Sequence, residues 1–489
     1  MLTTSSIQQV TKREILIIAA IAFVAVTIFS TSSFLYPFNS WVDANCMFTV
    51  GKSVFCGKVP YRDLMDHKGL LLHLIYGIGS LISFRSFFGV YVLELIAGFV
   101  FLSYSYKALL LFTDRKILYY VPLLALGVYS AWSFEQGASA EEFCLPFLSM
   151  GLYIGLKSEK VGSLTGKDAF LLGFLASCVF WIKYTIVGLF MGLPLYYLFF
   201  YVRNKDYAGL LRSAAFFLMG LIPLSLGVVC YFVFNHALAD MWTVYFYDNI
   251  FHYGTTSEYH GSLPRVVHNE LVGVKLILYN PVLVCMFIGS LIALISQKNK
   301  RLLCCCGVCF LSAYVPLFVG NPIRYYVLPL VIFAPFSLLM VRSWCSRSKI
   351  LQAGNNKRFL YSAFLFIALV LSVFIKFDTT RGLLSNGMDN PTFKIRNIIM
   401  EGRETPPVMI EYGIMDIGVY TVCGSIPECK NFCHLNLNLS DEMEVQNKYI
   451  EKERPLYIIS NRILTFNGYK RVSFDADGKP YFVYRLNAL

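Results

Sequence analysis

Charge is what this sequence has little of. Only 15% of its 489 residues are Asp, Glu, Lys or Arg, against 56% hydrophobic and 16% aromatic residues. A water-soluble core of this length cannot hide so much apolar surface, and a mean hydropathy of +0.58 excludes an ordinary soluble domain. There is no internal hydropathy repeat and no long low-complexity segment, so neither a repeat array nor a disordered chain is expected. The formal net charge of +12 does not point to nucleic acid. The Lys and Arg residues fall in short runs between apolar segments, where membrane orientation accounts for them. What remains is an α-helical polytopic membrane protein.

A helix needs about 20 apolar residues to cross the hydrocarbon core. Eleven runs read as crossings, at about 14–33, 88–112, 117–133, 143–157, 169–183, 185–202, 210–234, 274–296, 302–320, 325–342 and 359–376. One more, LLLHLIYGIGSLISF at 70–84, is short for a span and suits an interfacial or re-entrant helix. With that run left out, the basic connections at 113–116, 158–168, 203–208, 297–301 and 343–358 share one side with Lys12 and Arg13. The positive-inside rule makes that side the cytoplasm. The N-terminus is then inside, the C-terminus outside, and 34–87 forms the first outer loop. The 14–33 run continues into FLYPF with no A-x-A cleavage pattern, so it is expected to stay as an uncleaved anchor.

Beyond Phe377 the chain turns polar. Strand-like runs at 407–413, 455–464 and 480–486 and a helical 441–453 predict a small α/β domain, packed on the outer loops. Most of the 14 cysteines lie in expected spans and act as small apolar residues, and Cys304, Cys305 and Cys306 sit at the cytoplasmic edge, where disulfides do not persist. Cys46, Cys56, Cys423, Cys429 and Cys433 fall on the oxidising side, where the tail could hold one disulfide. With only His434 beside the tail cysteines, no metal site is expected there.

The first outer loop gathers polar residues. Asp43 follows the first span by about ten residues, close to the membrane surface, where a partly desolvated carboxylate works as a base. Tyr61, Asp63, Asp66, His67 and Lys68 crowd P-Y-R-D-L-M-D-H-K-G just ahead of 70–84. Solvated loop charges are the bland alternative, and His67 and His73 read as hydrogen-bonding helpers. Further on, SFEQGASAEEFCLPF carries Glu135, Glu141 and Glu142, of which the last two could equally cap the helix that follows. Lys183 in WIKYT could be a snorkelling residue, and Arg324, beside Tyr325 in N-P-I-R-Y-Y, could pair with a lipid phosphate or the tail. Trp242, Tyr245 and Phe246 belong to an aromatic run, 237–253, that could be an interfacial belt.

Together these features resemble the GT-C glycosyltransferases, in particular the family 39-like branch that includes protein O-mannosyltransferases and the aminoarabinose transferase of lipid A. The shared pattern is an acid after the first span, then G-x(5)-G-x-x-P-Y-x-D and a Lys ahead of an interfacial helix. Here it reads Asp43, Gly51, Gly57, Pro60, Tyr61, Asp63 and Lys68, and the usual K-P-P of the branch is Lys68-Gly69-Leu70. Arg324-Tyr325-Tyr326 followed by Val327-Leu328-Pro329-Leu330 resembles the branch's R/K-Y-Y-L-P signal.

The resemblance implies a GT-C type fold of about 11 transmembrane helices over 1–376, with interfacial helices in the first outer loop, and an extracytoplasmic α/β domain over 377–489. It implies a polyprenyl-phosphate-linked sugar donor and a glycan, lipid or protein hydroxyl as acceptor, at the outer face of the cytoplasmic membrane among its lipids. Asp43 would be the base of an inverting displacement, with Glu141 and Glu142 as a second acidic site. Lys68, Lys183 and Arg324, with Tyr325, His67 and Tyr61, would hold the donor phosphate. Trp242, Tyr245, Phe246 and His73 would line a lipid or acceptor groove. Some GT-C relatives use a divalent ion, but W-V-D-A-N has no second carboxylate beside Asp43, so neither a metal nor another cofactor is expected. Two other classes compete. A polysaccharide polymerase or ligase usually keeps its large outer loop late in the span order, and here the charged loop comes first. A lipid-linked glycan transporter or flippase commonly carries charges near the bilayer midplane, and here most sit at span ends.

Overall fold

The computed structural model describes residues 8–252, 263–347, 357–435, 442–472 and 481–487. Of the expected features, Tyr253, residues 348–356 of the last basic connection, Asp441 and Pro480 lie outside the described residues. The chain begins with helices α1 (Lys12–Phe29), α2 (Val42–Phe55), α3 (Leu70–Ile82), α4 (Phe88–Leu110), α5 (Val121–Tyr129), α6 (Ala140–Val161), α7 (Gly166–Ile182), α8 (Gly188–Arg203) and α9 (Tyr207–Phe234). Further helices follow at Arg265–Leu278, Pro281–Ser296, Lys300–Phe318, Arg324–Phe336, Ser337–Arg347 and Lys357–Ile375.

Each of the 11 expected crossings falls mainly on helix. Among the described residues, five helices are long and apolar enough to cross a membrane by length and composition, or up to seven if each of two bent pairs is one span. One bend has a plain cause. Pro281 has no N–H with which to extend the preceding helix, and Arg265–Leu278 meets Pro281–Ser296 at 96°. The other falls at Lys376, where Tyr361–Ile375 turns by 80° into Phe377–Leu383. The 28-residue α9 leaves Leu211, Leu218, Ile222 and Leu226 exposed, as a helix bathed in lipid must.

Packing divides the chain into two units. The first is Met1–Ser30, Glu94–Gly227 and Gly261–Thr380; the second is Thr31–Leu93, Val228–His260 and Arg381–Leu489. In the first, α8 runs along Lys300–Phe318, and Arg324–Phe336 packs against α6 and Pro281–Ser296. The stretch Tyr325–Phe336 is buried throughout.

The second unit departs from the expected loop at one place. Residues 42–55, expected as loop, form α2, with every residue from Ala44 to Ser53 buried. Its partner is α3, the 13-residue apolar helix found where the short run at 70–84 was expected. The two backbones touch at Gly51, where a Cβ would lie 2.6 Å from Tyr76 Cβ and 2.8 Å from the His73 carbonyl oxygen. A helix this short is marginal on propensity alone, and contact with α3 and the tail stabilises it. Gly57 follows α2 at φ +90°, a conformation that costs glycine nothing.

The tail joins this unit and is α/β. Strands β1 (Met409–Glu411), β2 (Tyr457–Ser460), β3 (Tyr469–Val472) and β4 (Phe482–Leu486) form one sheet in the order β1-β2-β4-β3, with β1 and β2 parallel and the other pairs antiparallel. β3 was not expected: Tyr469–Val472 is only part-buried and lacks an apolar alternation. Helix Glu442–Glu453 covers the sheet, and Ile410, Ile450, Ile458, Tyr484 and Cys429 form its core.

Replacing Gly51 by Leu forces α2 and α3 apart. The expected outcome is a loss of about 1–3 kcal/mol, read as a lowered Tm of the purified full-length protein.

Candidate active site

The stretch Pro60–Gly69 is a tight, hydrogen-bonded turn rather than a solvated loop. Asp63 Oδ2 accepts from the Val59 amide at 2.7 Å, and its carboxylate pairs with Arg62, so this acid shapes the turn. Tyr61 takes φ 69°, a strained conformation for a non-glycine residue. Its ring stacks on Phe232 and Tyr245, at 5.4 and 6.3 Å between centroids, and its hydroxyl donates to the Lys68 carbonyl at 2.6 Å. Asn249 Nδ2 donates to the His67 carbonyl at 2.8 Å. The backbone that carries His67 and Lys68 is therefore tied at both residues.

Charge is arranged around Asp66, which is buried. Its Oδ2 lies 2.8 Å from His73 Nε2 on α3, and its Oδ1 accepts from the His67 amide at 2.7 Å. Burial pushes the Asp66 carboxyl up, but the His73 hydrogen bond and the charges of His73, His67 and Lys68 outweigh it and hold the group well below the usual carboxylate range. Lys68 Nζ is in contact with His67 Nε2. Lys68, His67 and Asp66 are thus linked in sequence, with Lys68 and Asp66 buried and His67 half-buried between them. Asp43 stands in the first turn of α2, half-buried, where the helix N-terminus favours an ionised carboxylate.

Sequence reasoning missed a second group of charges in this unit. Lys52 is fully buried; its amine donates to the Tyr420 carbonyl at 2.7 Å. Thr49, one helical turn away, donates to Asp416 Oδ2 at 2.6 Å, and the Gly418 amide donates to Oδ1 at 2.7 Å. Burial lowers Lys52 to about 8 against the opposing pull of Asp416, and burial likewise raises Asp416 and Glu411. A Lys three residues after Thr49 gives no hint in sequence that its partner lies more than 350 residues away. Cys46 Sγ, also on α2, lies 4.0 Å from Cys433 Sγ of the tail, and Cys423, Cys429 and Cys433 are free thiols.

The first unit holds the other expected residues as acid–cation pairs. Lys183 Nζ meets Glu141 Oε1 at 2.6 Å and lies 3.7 Å above the Tyr326 ring and 5.5 Å from that of Tyr325. Arg324 grips Glu135 with two bonds, Nη2 to Oε2 at 2.5 Å and Nε to Oε1. Lys376, which no motif flagged, is buried beside this loop and donates to the Ala131 carbonyl at 3.0 Å. Glu142 is buried in the first turn of α6. Its amide N–H has no acceptor within the helix and donates instead to the capping hydroxyl of Ser139 at 2.9 Å.

The groove residues separate by burial. Trp242 is exposed and packs on the half-buried Phe246, at 5.2 Å between rings, along the π-helix Trp242–Asp248. Tyr245 and His73 face inward, onto Tyr61 and Asp66 respectively.

The Asp66 bond sets a pH dependence. A carboxyl held low contributes stability above its unfolded value of about 4 and loses it as the pH falls further. The Tm difference between the wild type and Asp66→Asn is expected to be constant above about pH 5 and to shrink below about pH 4.

No protein-family model matches the sequence, and no curated protein matches it. Solved structures do. ArnT from Cupriavidus metallidurans, in its crystal structure bound to undecaprenyl phosphate, superposes with a TM-score of 0.64 at 12% identity, over 98% of this chain and 99% of that one. Its apo structure superposes at 0.63 and 11% identity, over 96% and 97%. At such identities the likeness is one of fold, and it spans both chains almost end to end: the protein has the GT-C type fold of ArnT, a helical membrane module with a small C-terminal α/β portion.

Proposed function

We propose that this protein is a glycosyltransferase that moves a sugar from a polyprenyl-phosphate donor to a hydroxyl acceptor at the outer face of the cytoplasmic membrane. The observation that carries this reading is the end-to-end likeness to a protein crystallised with undecaprenyl phosphate. The first-loop pattern from Asp43 to Lys68 supports it independently. In this topology the N-terminus is cytoplasmic and the tail extracytoplasmic.

Asp43 takes the proton of the acceptor hydroxyl as its oxygen attacks C1 of the sugar. The bond from C1 to the phosphate oxygen breaks, its electron pair leaves with the polyprenyl phosphate, and the anomeric centre inverts. The leaving phosphate needs cations already in place. Lys68 serves with His67, on a backbone held by the Tyr61 hydroxyl. Lys183 and Arg324, with Tyr325 beside them, are held by Glu141 and Glu135 and can exchange a carboxylate for a phosphate oxygen. Glu141 and Glu142 form the second acidic site. Trp242 and Phe246 offer the prenyl chain an apolar surface, and Tyr245 and His73 support it from within. No metal takes part.

The test is transfer of label from polyprenyl-phosphate sugars to acceptor in membranes. Asp43→Asn is expected to lower turnover by about 10²–10⁴-fold while undecaprenyl phosphate binding is retained. Lys68→Ala is expected to weaken that binding by about tenfold. EDTA is expected to leave turnover intact. Undiminished transfer by a folded Asp43→Asn protein would remove Asp43 from the mechanism, and failure of the wild type to bind undecaprenyl phosphate would remove the donor class.

A further inference from the structure

The loop that leads into α6 is held in an unusual backbone. Glu135, Gly137 and Ala138 all have positive φ, at 54°, 82° and 60°. Two of these three are not glycine, so something must hold the chain there. The holding group is a carboxyl on α4. Glu94 is fully buried and its Oε1 accepts from the Ala138 amide at 2.7 Å and from Ser30 Oγ at 2.8 Å. The same Ala138 amide also donates to Glu142 Oε2 at 2.8 Å. A side chain at Gly137 would collide with this arrangement, since its Cβ would lie 2.4 Å from Ser30 Oγ and 2.5 Å from Glu94 Oε1.

Glu94 and Glu142 are both buried and accept from this one Ala138 amide, which holds the two carboxyl groups side by side. Two ionised carboxylates are acceptors only and repel each other when held this close and away from water, and a proton placed between them removes that repulsion. Tyr129 of α5 is a further titratable side chain buried in this unit. The nearby cations are engaged elsewhere: Arg324 with Glu135, Lys183 with Glu141 and Lys376 with the Ala131 carbonyl. An acid within a membrane helix is costly and is retained for a purpose.

We propose that Glu94 is the positioning residue of this acidic loop: it shares one proton with Glu142 and clamps residues 135–139, which sets Glu135 and Glu141 against Arg324 and Lys183. The clamp rests on the proposed function only for what the two cations serve. Its own consequence is a loop whose order depends on one proton. Removing that proton sets two negative charges against each other at a single amide and releases Ala138.

Hydrogen exchange of the peptide spanning 133–142, in the full chain reconstituted in nanodiscs and corrected for intrinsic rate, tests this across pH. In the wild type, protection is expected to fall at the pH where the shared proton leaves. Glu94→Gln brings its own N–H to Glu142 and cannot ionise, so it is expected to hold protection through that range. Glu94→Leu leaves the Ala138 amide with one acceptor fewer and is expected to lose about tenfold in protection at every pH. Identical pH profiles for the wild type and Glu94→Gln would overturn the shared proton, whether or not Glu94→Leu folds; full protection in a folded Glu94→Leu would overturn the clamp. Undecaprenyl phosphate binding is measured on the same samples. A wild type that shows the exchange profile but binds no undecaprenyl phosphate would refute the proposed function and leave the clamp standing.

Discussion

An ammonium group withdrawn from water must find compensation within a few ångströms or give up its proton, and the second unit is organised around one such group. Lys52 lies on α2 with no exposure to solvent, and its hydrogen bond and nearby carboxylate come from the tail, from the Tyr420 carbonyl and Asp416, while the Phe48 and Phe84 rings flank the ammonium. Thr49 and Cys46 meet the tail along the same helix face. A short helix that propensity would barely support is thereby fixed at its middle and its end. Asp43, one turn before Cys46, takes its position from that anchorage. Removing Asp416 would do more harm than a surface mutation because it would leave the buried Thr49 hydroxyl and the Gly418 amide without their acceptor.

The same rule operates in the first unit with the signs reversed. Buried acids predominate there, and each expected cation is matched to a carboxylate: Lys183 to Glu141, Arg324 to Glu135. Such pairs keep a positive side chain stretched and oriented in the absence of a ligand, at the expense of a competitor that an incoming phosphate must displace. The Tyr326 ring beneath Lys183 adds a face that attracts the cation whichever anion it holds. In the second unit, Lys68 is held differently, by a histidine contact and a tied backbone rather than by a carboxylate of its own.

Much of this was legible in the sequence because the signals were local. Apolar length marked the helical segments, and the shortness of 70–84 singled out α3 before any contact was known. Alternation and composition marked β1, β2, β4 and the tail helix. The first-loop pattern brought Tyr61 and Lys68 to attention, and a direct hydrogen bond now joins them. Other features failed for a physical reason. Residues 42–55 look like a loop because Asp43, Asn45 and Lys52 break the apolar pattern; burial against the tail makes them helical. β3 is an edge strand, written in polar residues, and only its pairing with β4 defines it.

The sequence by itself determined the solvent, the helical class, the α/β tail and the segments in which polar chemistry concentrates, because hydrophobic length and local periodicity act over a few turns of chain. Only the tertiary structure decided which charges are paired. Asp66 with His73, Lys52 with the Tyr420 carbonyl and Glu94 with the Ala138 amide are matched across 7, 368 and 44 positions in the chain, and a charge taken out of water is stabilised by whatever stands within hydrogen-bond reach, not by its neighbours in sequence.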